Sequence, residues 1–153
     1  MQEPQLAGKT AFRVIGLKYR GKNENNEIPQ LWVEFMRHRD KIVGLSKPIT
    51  AYGICDNLDI ESGQFDYIAG LGVDSIDEIP DGLVGVDIPA QEYAVFACTL
   101  PTIADTYKRI YETWLPQSSY KRAAGPEFEL YDMDFDPQKA DSKLYLHVPV
   151  EKK

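Results

Sequence analysis

The stretch from Tyr93 to Val150 reads YAVFACTL (93–100), a polar-apolar run ending in YETWLP (111–116), then GPEFELYDMDFDP (125–137) and KLYLHVPV (143–150). The run before YETWLP begins with Pro101, and its apolar residues recur at helical spacing, which is typical of a helix packed along one stripe. The other three segments are strand-like. This half of the chain therefore predicts the order strand, helix, strand, strand.

The middle strand, EFELY (127–131), carries the most information about function. Successive side chains of a strand point to opposite faces of the sheet. Phe128 and Leu130 therefore share one face, which we predict to lie under the helix that ends in Trp114. Glu129 and Tyr131 share the other face. A carboxylate held beside aromatic surface and away from bulk water favours a cationic, lipophilic ligand.

The last strand, KLYLHVPV, separates an aliphatic set from Tyr145 and His147. If both aliphatic sets share one core, the opposite face carries every polar and aromatic candidate of these two strands. The predicted ligand-binding residues are these candidates, the corresponding tyrosines of the first half and the two tryptophans as walls: Glu129, Tyr131, Tyr145, His147, Tyr52, Tyr67, Trp114 and Trp32.

Two simpler interpretations remain open for these residues. Glu129 also fits a surface carboxylate that pairs with a lysine or arginine. Trp114 and Trp32 also fit ordinary core positions, and His38 and His147 fit surface or packing positions. Spacing alone does not distinguish these roles from a ligand site.

The first half repeats the same order of elements. A strand is predicted over residues 10–20, a helix from Pro29 to Val43 that stops at Gly44, and strands over 50–55 and 65–73. The chain therefore predicts an α+β fold made of duplicated β-α-β-β units. It forms one domain with a loose tail at 1–8, a first repeat at about 9–75 and a second at about 83–150. A cleft between such halves is a common ligand site.

Composition restricts the function further. The 153 residues include 17 basic and 24 acidic side chains, for a net charge of −7. Nucleic-acid binding requires a basic surface, so this charge argues against it and mildly favours cationic ligands. No apolar run reaches the length of a bilayer span, and the N-terminus has no signal-peptide core, which predicts a cytoplasmic protein.

The cysteines and acidic runs indicate no metal site and no cofactor. Cys55 and Cys98 each lie within a strand-like run, where a free cysteine usually serves as a small buried hydrophobe. No CxxC or paired-histidine spacing is present. The run DMDFDP (132–137) lacks the glycine and closing glutamate of a calcium loop.

At these residues the chain resembles the GyrI-like small-molecule-binding domain, a module fused to AraC- and MerR-type transcription regulators and also found alone. The resemblance spans nearly the whole chain in the order of the family. Its landmarks are LWVEF (31–35), YGIC (52–55), FDYIAGLGV (65–73), IPAQEYAVF (88–96), IYETWLP (110–116), FELYDMDFDP (128–137) and LHVPV (146–150).

The resemblance implies a duplicated β-α-β-β (SHS2-type) fold with a pocket for bulky, lipophilic, often cationic compounds. The acid of the family's F-E-x-Y pattern is Glu129 here. Some relatives use a glutamate to hydrolyse cyclopropane-bearing alkylating compounds, so Glu129 is the catalytic candidate if the protein is an enzyme. Others modulate DNA gyrase. Gly72 stands where relatives commonly carry an acid, which argues against catalysis and against a strict preference for cations, and leaves room for a larger or neutral ligand.

Three functions follow in order of preference. The first is binding or sequestration of an amphipathic small molecule, with no direct DNA binding because residues 1–8 are too few for a helix-turn-helix. The second is a Glu129-dependent hydrolase. The third is a protein-interaction role, with gyrase or a regulator as the partner.

Overall fold

The computed structural model describes residues 3–153 as one antiparallel sheet with two helical regions. The strands are β1 (Gln5–Lys9), β2 (Phe12–Gly21), β3 (Ala51–Asp56), β4 (Phe65–Val73), β5 (Val84–Ile88), β6 (Gln91–Thr99), β7 (Tyr120–Arg122), β8 (Glu127–Tyr131) and β9 (Lys143–Lys152). The first helical region is α1 (Glu27–His38), followed by a 3-10 turn at Arg39–Lys41. The second combines a 3-10 turn (Leu100–Thr102), α2 (Ile103–Arg109), a π turn (Ile110–Trp114) and α3 (Leu115–Gln117). The predicted α+β class is confirmed.

The sheet is antiparallel and has the order β1-β6-β9-β8-β3-β4-β2-β5, with β7 pairing onto β9. On one side lie β2, β3 and β4 of the first half, and on the other lie β6, β8 and β9 of the second half. The edge strands are exchanged, because β1 pairs with β6 and β5 pairs with β2. The two halves meet where β3 pairs with β8. We call the strip over β3 and β8, on the face of the sheet that the helices cover, the seam. The order strand, helix, strand, strand recurs as β2-α1-β3-β4 and β6-α2-β8-β9, whereas duplication of one ancestral unit stays a prediction.

The N-terminal tail was predicted to be loose, and for its described part this is wrong. Residues 5–9 form β1 and pair with β6, from Gln5 opposite Val95 to Lys9 opposite Gln91. The side chains of QLAGK are mostly exposed, so the segment lacks the apolar alternation that marks a strand in a sequence. Its conformation comes from the free edge of β6. Met1 and Gln2 lie outside the described residues.

Both helical regions cover the same face of the sheet, the front face. Four paired residues show this, because Leu146, Glu129, Gly53 and Ala69 lie side by side across β9, β8, β3 and β4. Leu146 belongs to the core beneath the second helical region, and Ala69 to the core beneath α1. Glu129 therefore lies between the two helical regions, at the seam.

The back face is buried without any helix. Phe12 of β2 contacts Phe128 of β8 with ring centroids 5.3 Å apart, although β4 and β3 lie between their strands. Three strand spacings of a flat sheet amount to about 14 Å, so the sheet must curl to bring these rings together. Tyr93 and Tyr52 complete this ring packing.

This curl corrects one prediction. Phe128 and Leu130 do not lie under the helix that ends in Trp114; they belong to the back-face core. Trp114 packs instead on Phe96 and Tyr120. Because both faces of the sheet are buried, an apolar set of strand residues does not reveal which face the helix covers.

The helices also differ from their predicted limits. The first begins at Glu27 and its α-helical part ends at His38, although Gly44 adopts the positive φ (+73°) of a stop signal. The second passes through Pro116 to Gln117. Its π turn precedes the proline and brings the buried Ile110 and Leu115, five residues apart, onto one side.

Candidate functional site

A buried carboxylate occupies the middle of the seam. Glu129 is 7% exposed, and its Oε1 accepts hydrogen bonds from the hydroxyls of Tyr67 and Tyr131, each at 2.8 Å. Trp32 Nε1 donates to the Tyr67 oxygen at 2.9 Å. One acid thus receives two hydroxyl donors, and one of these donors is oriented by an indole from α1.

Local sequence explains why these groups can meet. The alternation of EFELY places Glu129 and Tyr131 on the front face, where Gly53 of β3 lies opposite Glu129. A Cβ at position 53 would come within 2.1 Å of the Tyr67 hydroxyl and 2.6 Å of Glu129 Oε1. The absence of a side chain at Gly53 therefore makes room for the hydrogen bond between Tyr67 and Glu129.

Burial controls the electrostatics of the cluster. It raises the pKa of Glu129 above its usual range, the two tyrosine hydroxyls act in the opposite direction, and the charge of Glu127 raises it further. Burial and the Glu129 charge also raise the pKa of Tyr67 and Tyr131, which keeps both hydroxyls protonated as donors. The ionised carboxylate is therefore short of compensating positive charge, and a cation placed beside it would stabilise it.

An apolar cavity lies next to Tyr131, although Glu129 itself is not among its lining residues. It has a volume of about 360 Å³, and its walls include Trp32, Phe35, Leu71, Tyr131 and Phe135. The Tyr131 ring contacts both Trp32 and Phe135, with centroids 5.6 and 4.8 Å away. Tyr131 therefore belongs to both parts of the site, because its hydroxyl reaches the acid and its ring lines the cavity.

Flexible side chains surround the opening of this cavity. Met36 and Met133 line it and are 53% and 70% exposed. Methionine side chains adapt to ligands of irregular shape. Arg39 and Asp132 add one charge of each sign to the lining.

A second acid lies at the other end of the seam. Glu127 Oε1 accepts a hydrogen bond from the Tyr111 hydroxyl at 3.0 Å, and Arg122 Nη2 lies 3.8 Å from the same oxygen. Arg122 Nε also donates to the Tyr111 oxygen at 3.1 Å. Burial raises the pKa of Glu127, and the charge of Arg122 opposes that shift.

The structure places the predicted site residues in three locations: the seam, the core of the second half and the back face. Glu129, Tyr131, Tyr67 and Trp32 meet at the seam. Trp114 lies on the same face but packs against Phe96 and Tyr120 in the core of the second half.

The prediction that Tyr145 and His147 share a face with Glu129 is wrong. Phe128 lies opposite His147, and Leu130 lies opposite Tyr145 on one side and Tyr52 on the other. All of these residues therefore point to the back face. The two strands are paired so that Glu129, not Phe128, is beside the aliphatic Leu146.

His147 is a packing residue on the back face. Its ring stacks on Phe128 with centroids 4.5 Å apart and meets the edge of Tyr93. Burial lowers the pKa of His147 to about 4. A side chain at position 72 would likewise approach the Tyr52 ring at 3.2 Å, so Gly72 is not part of the Glu129 cluster.

Sequence reasoning missed three kinds of site residue. Gly53 was noticed only within YGIC, and its role depends on a tyrosine from another strand. Tyr107 and Tyr111 lie in the second predicted helix and were not singled out as site residues, although the Tyr111 hydroxyl donates to Glu127 of β8. Glu127 alternates with Phe128 in the same pattern as Glu129, so the sequence contained a signal for it.

A larger cavity lies elsewhere. It measures about 540 Å³ at the end of β6, and charged residues including Asp105, Arg109 and Lys143 line it. Its lining does not include Glu129 or its hydroxyl donors. Among residues 3–153, no group of three or more metal-binding side chains is found, and no helix is long and apolar enough to cross a membrane.

Comparison with known proteins identifies the class. Residues 5–150 match the family described as Cass2, the integron-associated effector binding protein. The match covers nearly the whole chain, so the protein belongs to this family of effector-binding domains. The predicted resemblance to GyrI-like domains is confirmed.

Individual relatives agree with this assignment. The transcriptional regulator BrlR of Pseudomonas aeruginosa is 35% identical over 149 residues, which are 95% of this chain and 54% of the regulator. The chain thus spans about half the length of that relative.

Solved structures show the same fold. The integron cassette protein VCH_CASS2 of Vibrio cholerae superposes with a TM-score of 0.71 at 20% identity, covering 98% of this chain and 97% of its own. SAV2435 bound to tetraphenylphosphonium gives a TM-score of 0.70 at 18% identity, with 98% and 94% covered.

Proposed function

We propose that the protein binds lipophilic, cationic small molecules at the seam. The charged part of the ligand lies beside Glu129, and its apolar part enters the cavity lined by Trp32, Tyr131 and Phe135. The observation that carries this proposal is the buried Glu129 carboxylate, which has two hydroxyl donors and no cationic partner among the ion pairs of the described residues.

Elementary energetics support a cation at this position. Two unit charges 4 Å apart gain roughly 4 kcal/mol near a protein surface, and each aromatic face adds roughly 0.5–2 kcal/mol. Burial raises the pKa of Glu129, so a cation that restores its ionised form also recovers part of that cost. The structural neighbour SAV2435 was solved with tetraphenylphosphonium, a lipophilic monocation of this chemical class.

The test is a calorimetric or tryptophan-fluorescence titration with tetraphenylphosphonium. Glu129→Gln should weaken binding at least about tenfold, or about 1.4 kcal/mol. Glu92→Gln is the matched control, because it removes one negative charge from an exposed position on β6. It should leave the affinity within about twofold, since exposed charges are screened.

A second ligand separates charge from shape. Tetraphenylborate has nearly the same shape as tetraphenylphosphonium and the opposite charge, so it should not bind. Equal binding of both ions, or an unchanged affinity in Glu129→Gln, would show that the acid does not recognise the ligand.

The pH dependence provides an independent check. Tetraphenylphosphonium keeps its charge at every pH, so only the protein titrates. Because the pKa of Glu129 is raised, the affinity should be low when this carboxyl is protonated and should increase as the pH rises through its pKa. The Glu129→Gln variant should lack this increase.

A further inference from the structure

At the second acid of the seam, Glu127, two buried polar atoms have no hydrogen-bond partner in the part of the chain that the structure describes. Among the described residues, Glu127 Oε2 and the Tyr107 hydroxyl are both inaccessible to solvent and make no hydrogen bond. Buried polar groups are nearly always paired, since an unpaired one loses its hydration without compensation. One of these atoms belongs to the acid and the other to the residue four positions before Tyr111, the donor to that acid, which indicates that a further group belongs between them.

Strand and helix geometry place both atoms along the seam. Glu127 precedes Glu129 by two residues on β8, so the two side chains share the front face about 6.7 Å apart. Tyr107 precedes Tyr111 by one helical turn, and residues four apart lie on the same side of a helix. Tyr111 already donates to Glu127 Oε1. Burial raises the pKa of Tyr107, and the neighbouring Cys55, Glu129 and Glu127 raise it further, which agrees with its position above this strip.

Charge balance indicates what kind of group fits. The seam contains the carboxyl groups of Glu127 and Glu129 and one guanidinium, that of Arg122. When both acids are ionised, these three groups have a net charge of −1, and one cation beside Glu129 neutralises it. A second cation at Glu127 would leave an excess of positive charge, so the second group is neutral.

The hydrogen-bonding capacity of these two atoms limits which neutral group can lie between them. Glu127 Oε2 is an acceptor, whereas the Tyr107 hydroxyl can donate or accept. A ligand hydroxyl can donate to the carboxylate and accept from the tyrosine, which satisfies both atoms with one oxygen.

We propose that Glu127 and Tyr107 form a subsite for a hydroxyl group of the ligand. The protein then prefers lipophilic monocations that carry a hydroxyl about one aromatic ring away from the charge. This inference rests on the proposed function, because it needs a cation beside Glu129 to fix the position of the ligand.

The experiment compares tetraphenylphosphonium with (4-hydroxyphenyl)triphenylphosphonium. The two probes differ by one oxygen atom, and the para position lies one phenyl ring from phosphorus, a reach comparable with the separation of Glu127 and Glu129. The hydroxylated probe should bind about fivefold more tightly, the gain expected of one additional hydrogen bond. Tyr107→Phe should reduce this ratio to about one.

Tyr93→Phe is the matched control. The Tyr93 hydroxyl is also buried and makes no hydrogen bond among the described residues, but it lies on the back face. This variant should keep the full preference for the hydroxylated probe. If Tyr107→Phe does not fold, Glu127→Gln takes its place, because it keeps the size of the side chain, weakens the acceptor and should reduce the ratio.

Each outcome decides a different point. If tetraphenylphosphonium binds but the hydroxyl gives no gain, or if the gain persists in Tyr107→Phe, the subsite is wrong and the proposed function stands. An equal loss of preference in Tyr107→Phe and Tyr93→Phe also overturns the subsite, since the effect is then not local. If neither probe binds, the proposed function fails together with the inference.

Discussion

Replacing Gly53 by alanine should disrupt the site from within. The added Cβ would lie 2.1 Å from the Tyr67 hydroxyl and 2.6 Å from Glu129 Oε1, distances at which one of these groups must move. Overpacking a buried site costs roughly 1–3 kcal/mol, and losing a hydrogen bond to a charged acceptor costs roughly 1.5–3 kcal/mol. We therefore expect a loss of about 3–5 kcal/mol in the free energy of unfolding and a fall of about 10 °C in Tm.

Urea unfolding followed by tryptophan fluorescence measures this cost. Gly8→Ala is the control, because a Cβ at Gly8 meets no atom within 4 Å. It should change stability by only a few tenths of a kcal/mol. A Gly53→Ala protein as stable as Gly8→Ala would refute the close approach of Tyr67 and Glu129.

A double variant tests whether the clash is the cause. Tyr67→Phe alone should destabilise the protein, since Glu129 Oε1 loses a donor and Trp32 Nε1 loses its acceptor. In the Gly53→Ala background the same change removes the nearest clashing atom. It should then be neutral or stabilising, although the Tyr67 ring carbon at 2.7 Å keeps the recovery partial. Additive effects of the two changes would contradict this explanation.

Three further predictions concern titration and reactivity. Tyr131→Phe removes a donor that lowers the pKa of Glu129, so the pH at which tetraphenylphosphonium binding begins should move upward in a titration series; an unchanged midpoint would contradict the hydrogen bond. Burial lowers the pKa of His147 from 6.5 to about 4, so the folded state binds fewer protons than the unfolded state between these values, and stability should fall as the pH falls through this window. The loss in the free energy of unfolding should approach about 3 kcal/mol. When unfolding is measured in urea, the His147→Phe variant should lack this decrease at low pH. Burial raises the pKa of Cys98 to about 11 and that of Cys55 well above its usual range, so iodoacetamide should label both thiols slowly at pH 8 until urea unfolds the chain; rapid labelling of the folded protein would show that they are accessible.

Local patterns predicted much of the fold. Phe65–Val73 forms a strand with the predicted limits, and the alternation of EFELY placed Glu129 and Tyr131 on one face, although spacing alone left a surface position open for Glu129. Resemblance identified the family, and the α+β class followed from the order of elements.

Long-range pairing explains what the sequence did not reveal. The faces of Tyr145 and His147 depend on Glu129 lying opposite Leu146, and a shift by one residue would reverse every side chain of the strand. Formation of β1 depends on the free edge of β6. The unpaired atoms of Tyr107 and Glu127 appear only when the second helical region lies on β8.

Some predicted functions stay predictions. Glu129-dependent hydrolysis, a gyrase or regulator partner and the absence of direct DNA binding each require their own assay. Mass spectrometry of an electrophilic cyclopropane incubated with wild-type protein and with Glu129→Gln would test the first. A pull-down with gyrase would test the second, and a mobility-shift assay with operator DNA the third.

The aromatic packing behind the sheet limits how the protein can adjust to ligands of different size. Hinging the two halves apart about β3 and β8 would separate Phe12 from Phe128 and expose both rings to water. We therefore expect the floor of the seam to stay rigid, while the exposed Met36 and Met133 rearrange around whatever enters. A binding site of this kind accepts ligands of different size at its exposed edge, but it requires their charged group at one fixed depth.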